Sequence, residues 1–268
     1  MPSQSIKMGH LVSVVMPCYN SAAFIAASIE GVLNQTYKDI ELLIADDGSE
    51  DNTIDIVKKY ARNDARIRLF AIGGNMGAGV ARNKCIEEAR GRYIAFCDSD
   101  DTWEPTKIET QVAFMQKNGY AFAFASYYVM NKEGKRVGMV KAPESVNLTD
   151  TKRDDKIGFL TAIYDTEVIG KLYMPLIRKR QDWAYVLMLL QRCHRAYSLP
   201  QPLATYRRGR GSISHNKLSL VQYNIKVYEE VFGYSRLHAC LYFLFLFLPH
   251  YAIKRARHKW AGRPHNSL

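Results

Sequence analysis

The stretch "RYIAFCDSDD", residues 92–101, decides how this chain is read. A mostly apolar, strand-forming run leads straight into Asp98, Asp100 and Asp101. Carboxylates this close repel one another, and the mouth of a buried strand strips away the water that would screen them. A hard divalent cation such as Mg²⁺ or Mn²⁺ removes the conflict, because it takes oxygen ligands from one or two carboxylates together with substrate phosphates. A solvated turn, with Asp100 or Asp101 capping the helix expected after Pro105, accounts for the same letters.

The residues before this turn give it a context. "LVSVVM" (11–16), "IELLIA" (40–45), "IRLFA" (67–71) and "RYIAFC" (92–97) have the composition of buried strands. Helical periodicity with a polar face fills 22–35, 52–62 and 77–89 between them. Alternation of this kind predicts an α/β fold, a mostly parallel sheet flanked by helices, whose ligands bind beyond the C-terminal ends of the strands. The first strand ends in "MPCYN" (16–20), where Pro17 fixes the backbone, Tyr19 offers a ring for stacking and Asn20 supplies donors and acceptors. The second ends in "ADDGSEDNT" (45–53), where Asp46 or Asp47 suits a nucleoside base or ribose, and where turn and capping chemistry explains the same residues.

After Pro105 the order changes to a helix reaching about Asn118, an aromatic strand "YAFAFASYY" (120–128) and a hairpin signal at "NKEGK" (131–135). Residues 141–158 are polar and predict a loop, and "DWAYVLMLLQR" (182–192) predicts a buried helix. A domain over 1–215 is expected, in two halves of about 11–105 and about 106–215, with a separate helical segment over 216–268. In that segment the apolar run from Leu237 to Ile253 is about 25 Å long as a helix, short of the roughly 30 Å of a bilayer core. With Pro249 inside it and Lys254, Arg255, Arg257 and Lys259 behind it, the run suits a helix lying in an anionic membrane surface, or a core helix with a basic exit.

With 268 residues, 47% of them hydrophobic, the chain has ample material for a core. Its 37 basic and 26 acidic side chains give +11, which suits phosphate-rich ligands, nucleic acid or an anionic membrane. Five cysteines, at 18, 85, 97, 193 and 240, show no pairing or zinc-site spacing and read as reduced thiols of a cytoplasmic protein. The N-terminus has no signal-peptide pattern.

Taken together, "VSVVMPCYN" (12–20), "QTYKDIELLIADDGS" (35–49), "GGNMGAGVARN" (73–83) and "CDSDD" (97–101) resemble, in order and spacing, the inverting family 2 glycosyltransferases of GT-A fold. The resemblance spans about residues 11–110. It implies that Pro17 and Tyr19 contact a uridine, with Asn20 beside them, that Asp47 reads the uracil, and that Asp98 and Asp100 form the family's D-x-D. Asp98 then lies nearer the ribose and metal, Asp100 ligates a Mn²⁺ or Mg²⁺ ion on the donor diphosphate, and Arg82 and Asn83 support the donor pocket or buttress the D-x-D turn. Asp182 matches the position of the family's base, although Gln181 stands where the family usually reads Glu, and an ordinary helix N-cap accounts for Asp182 as well. Arg207, Ser212, Ser214 and His215 are candidates for a basic loop near the diphosphate, or for a solvated loop.

"GKLYMPLIRKRQDWA" (170–184) is similar to bacterial transferases that extend lipid-diphosphate-linked sugars in O-antigen or capsule synthesis. This implies a UDP-sugar donor, UDP-Gal or UDP-Glc, and a peripheral enzyme on the inner face of the cell membrane; another donor or a lipooligosaccharide acceptor remains open. Processive synthases carry Gln-x-x-Arg-Trp, whereas Trp103, Trp183 and Trp260 follow Thr, Asp and Lys, so addition of one sugar is expected. A nucleotidyltransferase would need a glycine-rich triphosphate loop that "MPCYNSAA" does not offer. Nucleic acid is not an expected partner, since no helix-turn-helix, RRM or KH pattern is evident and acidic turns would repel its backbone.

Overall fold

The computed structural model describes residues 9–208 and 217–250. Its first half is three β-α units and a fourth strand: β1 (Val12–Cys18), α1 (Ile25–Leu33), β2 (Ile40–Asp46), α2 (Thr53–Asn63), β3 (Ile67–Ala71), α3 (Ala78–Glu88) and β4 (Tyr93–Phe96). These strands pair in parallel in the order β3-β2-β1-β4. Every residue of β1, β2 and β4 is buried, as a sheet covered by helices on both faces requires. One face packs Val14, Met16, Leu42 and Ile44 against α1 and α2; the other packs Val15, Leu43 and Phe96 against α3.

The remaining elements extend the sheet. They are β5 (Thr102–Trp103), α4 (Lys107–Asn118), β6 (Phe122–Met130), β7 (Arg136–Val140), β8 (Ser145–Asn147), α5 (Leu148–Thr151), β9 (Ile163–Asp165), α6 (Thr166–Ile169), α7 (Gln181–Cys193) and β10 (Arg195–Arg207). Past β4 the sheet continues β9-β6-β10-β5, with β9 antiparallel to both β4 and β6 and with β10 parallel to β6. The 141–158 stretch is therefore not a plain loop: β8 pairs with β10, and α5 follows, capped by the Asn147 side chain on Asp150 N at 2.8 Å.

A polar contact fixes the entry to β4. Ser13 Oγ donates to Glu41 at 2.6 Å and accepts from Gly91 N at 2.8 Å. A Cβ at Gly91 would lie 2.6 Å from Leu11 O and 2.7 Å from Ser13 N, so only glycine lets the turn before β4 close this tightly on β1.

Two further helices, α8 (Lys217–Phe232) and α9 (Arg236–Tyr242), lead into a π-helical stretch at Phe243–Phe247. They pack on α7 through Trp183, Tyr228, Ala239 and Phe243, while Leu237, Leu241, Leu244, Phe245 and Leu248 remain exposed. The apolar run is thus half core and half surface. Among the described residues no single helix is long and apolar enough to cross a membrane. Residues 254–259, with their basic side chains, lie outside the described residues.

Candidate active site

The C-terminal ends of β1, β2 and β4 open on one crevice, where the strand order reverses on either side of β1. Pro17 is buried at the end of β1, opposite Ala45; Tyr19 and Asn20 follow it, exposed. Asn20 takes a positive φ of 47°, a conformation Asn tolerates better than most residues, and so turns its Oδ1 onto Glu50 N at 2.9 Å. Ser21 Oγ meets Ser99 Oγ at 2.7 Å, which ties this turn to the aspartate turn after β4.

The two aspartates ending β2 do different work. Asp46 builds its own turn, accepting from Gly48 N and Ser49 N at 3.0 Å each. Asp47 reaches across to the glycine-rich loop before α3 and accepts from Met76 N and Gly77 N, both at 2.8 Å. The loops touch backbone to backbone: a Cβ on Gly48, where φ is +84°, would lie 3.1 Å from Gly74 Cα. Each Asp47 oxygen keeps a second lone pair for a ligand.

In the aspartate turn, Asp98 Oδ1 accepts from Arg82 Nη2 at 2.6 Å. Arg82 is buried in α3 and lies over the Phe159 ring at 5.4 Å, with its Nε lacking a hydrogen-bond partner. Asp101 is buried and accepts from Arg207 N at 3.1 Å, and Arg207 Nε donates to Asp100 O at 3.2 Å. Capping is not the task of Asp100 or Asp101, since Thr106 occupies the N-cap of α4. Arg207 therefore joins the turn; Ser212, Ser214 and His215 lie outside the described residues. Asn83 turns away from the turn and holds Met174, donating to its O at 2.9 Å and accepting from its N at 2.7 Å.

Asp182 sits in the first turn of α7, partly buried, where its Oδ1 accepts from Trp183 N at 2.8 Å. The N-cap is Arg180, in the left-handed region at φ 66°, so Asp182 is not the cap. Burial opposes the charge on Arg82, and the Asp98 carboxylate that it bonds, with a smaller contribution from Asp182, holds the guanidinium charged.

Burial, and then the Asp98 charge, push Asp100 up to about 6, and burial with the charges of Asp98 and Asp100 raises Asp101 well above the carboxylate range. A turn with this much unrelieved negative charge and an all-oxygen donor set fits a hard divalent cation. Among the described residues no group of three or more His, Cys, Asp or Glu is arranged to hold a metal by itself, so an ion at this turn would need further oxygen ligands from outside the chain.

The sequence did not single out Ser21, Ser99, Asp51, Tyr127 or Asp155. Asp51 accepts from Ala22 N at 3.0 Å and from Thr53 N at 3.0 Å, closing the gap between the first two turns. The Asp-Asn-Thr signal at 51–53 was available as a turn, but its partner Ala22 lies far away in the chain.

Carboxylates gathered at the C-terminal ends of a parallel β-α sheet, where its strand order reverses, are what a GT-A glycosyltransferase presents to its ligand. The chain belongs to glycosyl transferase family 2, whose pattern matches residues 13–170. TuaG of Bacillus subtilis, a glycosyltransferase assigned by name to teichuronic acid biosynthesis, is 42% identical over 229 residues, 85% of this chain and 90% of that protein. WfgD of Escherichia coli, a UDP-Glc:α-D-GlcNAc-diphosphoundecaprenol β-1,3-glucosyltransferase, is 36% identical over 208 residues, 78% of this chain and 81% of its own. Among solved structures, the mannosyltransferase PcManGT from Pyrobaculum calidifontis, in complex with GDP-Man and Mn²⁺, shares the fold with a TM-score of 0.64 at 17% identity, over 97% of this chain and 80% of its own. The protein is a glycosyltransferase with a mixed α/β GT-A fold.

Proposed function

We propose that this glycosyltransferase moves one hexose, from UDP-Glc or UDP-Gal, to a sugar carried on a lipid diphosphate, with inversion at the anomeric carbon, in bacterial surface polysaccharide synthesis. The observation that carries the reading is Arg82, a single buried cation acted on by both Asp98 and Asp182. A carboxylate on the donor side and one at the start of α7 that act on the same cation support a direct displacement. The names of TuaG and WfgD support the polysaccharide context and the acceptor class.

In this reading Tyr19 stacks on the uracil, with Pro17 and Asn20 beside it, and Asp47 holds the glycine-rich loop against the base while a free lone pair reads the ring. Asp98 and Asp100 would hold a Mn²⁺ or Mg²⁺ ion, which would supply positive charge to stabilise the departing diphosphate. Arg82 keeps Asp98 in place, and Arg207 keeps the turn closed. Asp182 takes the proton of the acceptor hydroxyl as that oxygen bonds to the anomeric carbon; the bond to the diphosphate oxygen breaks, and its electron pair leaves with UDP. The carbon passes through an oxocarbenium-like state, and attack from the face opposite the leaving group inverts it.

The exposed leucines of the last helix, followed by Lys254, Arg255, Arg257 and Lys259, support seating on the inner face of the cell membrane, where such an acceptor resides. The deciding experiment incubates the chain and Asp182→Asn with Mn²⁺, a synthetic GlcNAc-diphosphate-lipid and each common UDP-sugar, following UDP release and product mass. Transfer from one donor, lost in the variant, is expected. Donor hydrolysis without transfer rejects this acceptor, and retention in the product of an anomerically pure donor rejects the displacement.

A further inference from the structure

A cavity of about 820 Å³ opens beside the site, between the end of β6, the 140–144 segment and the 154–158 segment. Neither D-x-D carboxylate lines it, and nothing in the donor chemistry uses it. The 151–161 segment forms one wall and crosses the cleft between the donor side and α7. Trp183 Nε1 donates to Thr151 O at 2.8 Å, and Tyr228 Oη to Lys152 O at 2.7 Å. Further along, a Cβ at Gly158 would lie 2.4 Å from Tyr127 Cε1, and Phe159 underlies Arg82. The wall is thus pinned at both ends, and Asp155 sits within it, lining the cavity.

Resting on the base reading of Asp182, we propose that Asp155 is the second carboxyl of the acceptor side, a positioning residue between this cavity and Asp182 that orients the acceptor sugar and the Asp182 carboxylate together. Gln181, which stands in the usual place of a glutamate, cannot do this: it is buried against α3, where a Cβ on Gly79 would meet its Cδ at 3.0 Å. The missing acid is supplied from a different element.

The groups facing Asp155 set its state. Asp182 and Arg180 reach it from α7, one anion and one cation; Tyr127 reaches it from β6; Asp154 flanks it, and Ile157 N donates to its Oδ1 at 3.4 Å. Lys141, Glu144 and Lys156 line the same cavity. Burial, then the Asp182 charge, push Asp155 up to about 8. Below about pH 8 Asp155 keeps a proton and can donate an O–H; above it the proton is lost and its charge meets that of Asp182.

The test compares the full-length wild type with Asp155→Asn, Asp155→Ala and Asp182→Asn across pH, with Mn²⁺, the GlcNAc-diphosphate-lipid and the UDP-sugar that supports transfer. Asparagine keeps a neutral donor at every pH. Asp155→Asn is therefore expected to lose the alkaline decline that wild type shows above about pH 8. Asp155→Ala should raise the acceptor KM ~10-fold, the loss of one good hydrogen bond, and leave the donor KM unchanged. A wild-type pH profile in Asp155→Asn, an unchanged acceptor KM in Asp155→Ala, or Asp155→Asn as inactive as Asp182→Asn each overturns the proposal. Full activity in Asp182→Asn rejects the base reading instead. Melting temperatures decide the proton without any transfer assay: the folded carboxyl binds a proton that the unfolded one has released, so the advantage of Asp155→Asn over wild type should grow from about pH 5 to about pH 8. A constant difference across that range overturns it.

Discussion

Arg82 Nη2 lies 2.6 Å from Asp98 Oδ1, and this contact joins α3 to the turn after β4. The guanidinium is buried, while the Asp98 side chain is 38% exposed toward the crevice, so the pair aims a carboxylate outward from a fixed base. Arg82→Met removes the partner and keeps the volume. Loss of a charge-assisted hydrogen bond costs about 1.5–3 kcal/mol, so kcat/KM for the donor should fall ~10–100-fold. Arg82→Lys should recover little of it, since the ammonium lacks the fork that reaches Asp98 while lying over Phe159. Initial rates against donor concentration check both; equal rates in Arg82→Met and wild type would remove Arg82 from the donor site.

Metal removal has a specific expectation. If Asp98 and Asp100 share a cation with the donor diphosphate, UDP should raise the melting temperature strongly with Mn²⁺ and weakly with chelator, because ligand bound only to the native state stabilises it by mass action. Asp100→Asn should abolish the difference between the two conditions and lower transfer by ~10³-fold. Differential scanning fluorimetry reads the first and UDP release the second. A UDP shift indifferent to chelator in wild type would reject a metal at this turn.

Lys107 gives a prediction about stability alone. It is fully buried at the start of α4, its Nζ lacks a hydrogen-bond partner, and it lies 3.9 Å from the centroid of the Trp103 ring. Burial lowers it to about 7, against 10.5 in an ordinary lysine. Between those values the unfolded chain binds the proton and the folded chain does not, so stability rises with pH across that window. Lys107→Met should therefore be more stable than wild type at neutral pH, by roughly 4 kcal/mol from this linkage. Its advantage should shrink as pH approaches 10. Urea denaturation at several pH values measures it; a variant less stable at neutral pH would mean that the amine is held charged in the fold.

The first hundred residues were legible because each element there carries its own pattern. The four strands lie within two residues of their expected positions, and the motifs fall at their ends. The residues after them were harder. β9 is three residues long, and β10 contains Pro200 and Pro202, which strands usually exclude; the structure accommodates them with register shifts between Leu199 and Ala204 against β6. At the site, residue identity pointed to Asp98, Asp100 and Asp182, but pairing between distant elements was invisible. Nothing in "TKRDDKIG" (151–158) marks Asp155 apart from Asp154: both line the cavity, and what distinguishes Asp155 is the influence of Asp182 and Arg180 from α7, which the fold assembles.

The C-terminal helix makes the last prediction. Leu237, Leu241, Leu244 and Leu248 recur at helical spacing and are 72%, 45%, 50% and 42% exposed, while Ala239 and Phe243 point into the aromatic cluster on α7. A face this apolar next to the basic residues at 254–259 matches the interface of an anionic bilayer, where each fully buried large side chain contributes ~1.5–3 kcal/mol and each nearby cation about 1 kcal/mol. The chain should sediment with phosphatidylglycerol vesicles, less so with neutral ones, and less at high salt. Leu244→Glu together with Phe245→Glu should reduce that partition at least ~10-fold, and UDP should shift the melting temperature as in wild type, since neither residue touches the crevice. Transfer to a short-chain soluble acceptor should survive the substitution while transfer to the vesicle-embedded lipid falls. If both acceptors are used equally well by the variant, the face serves another contact and the enzyme reaches its substrate without it.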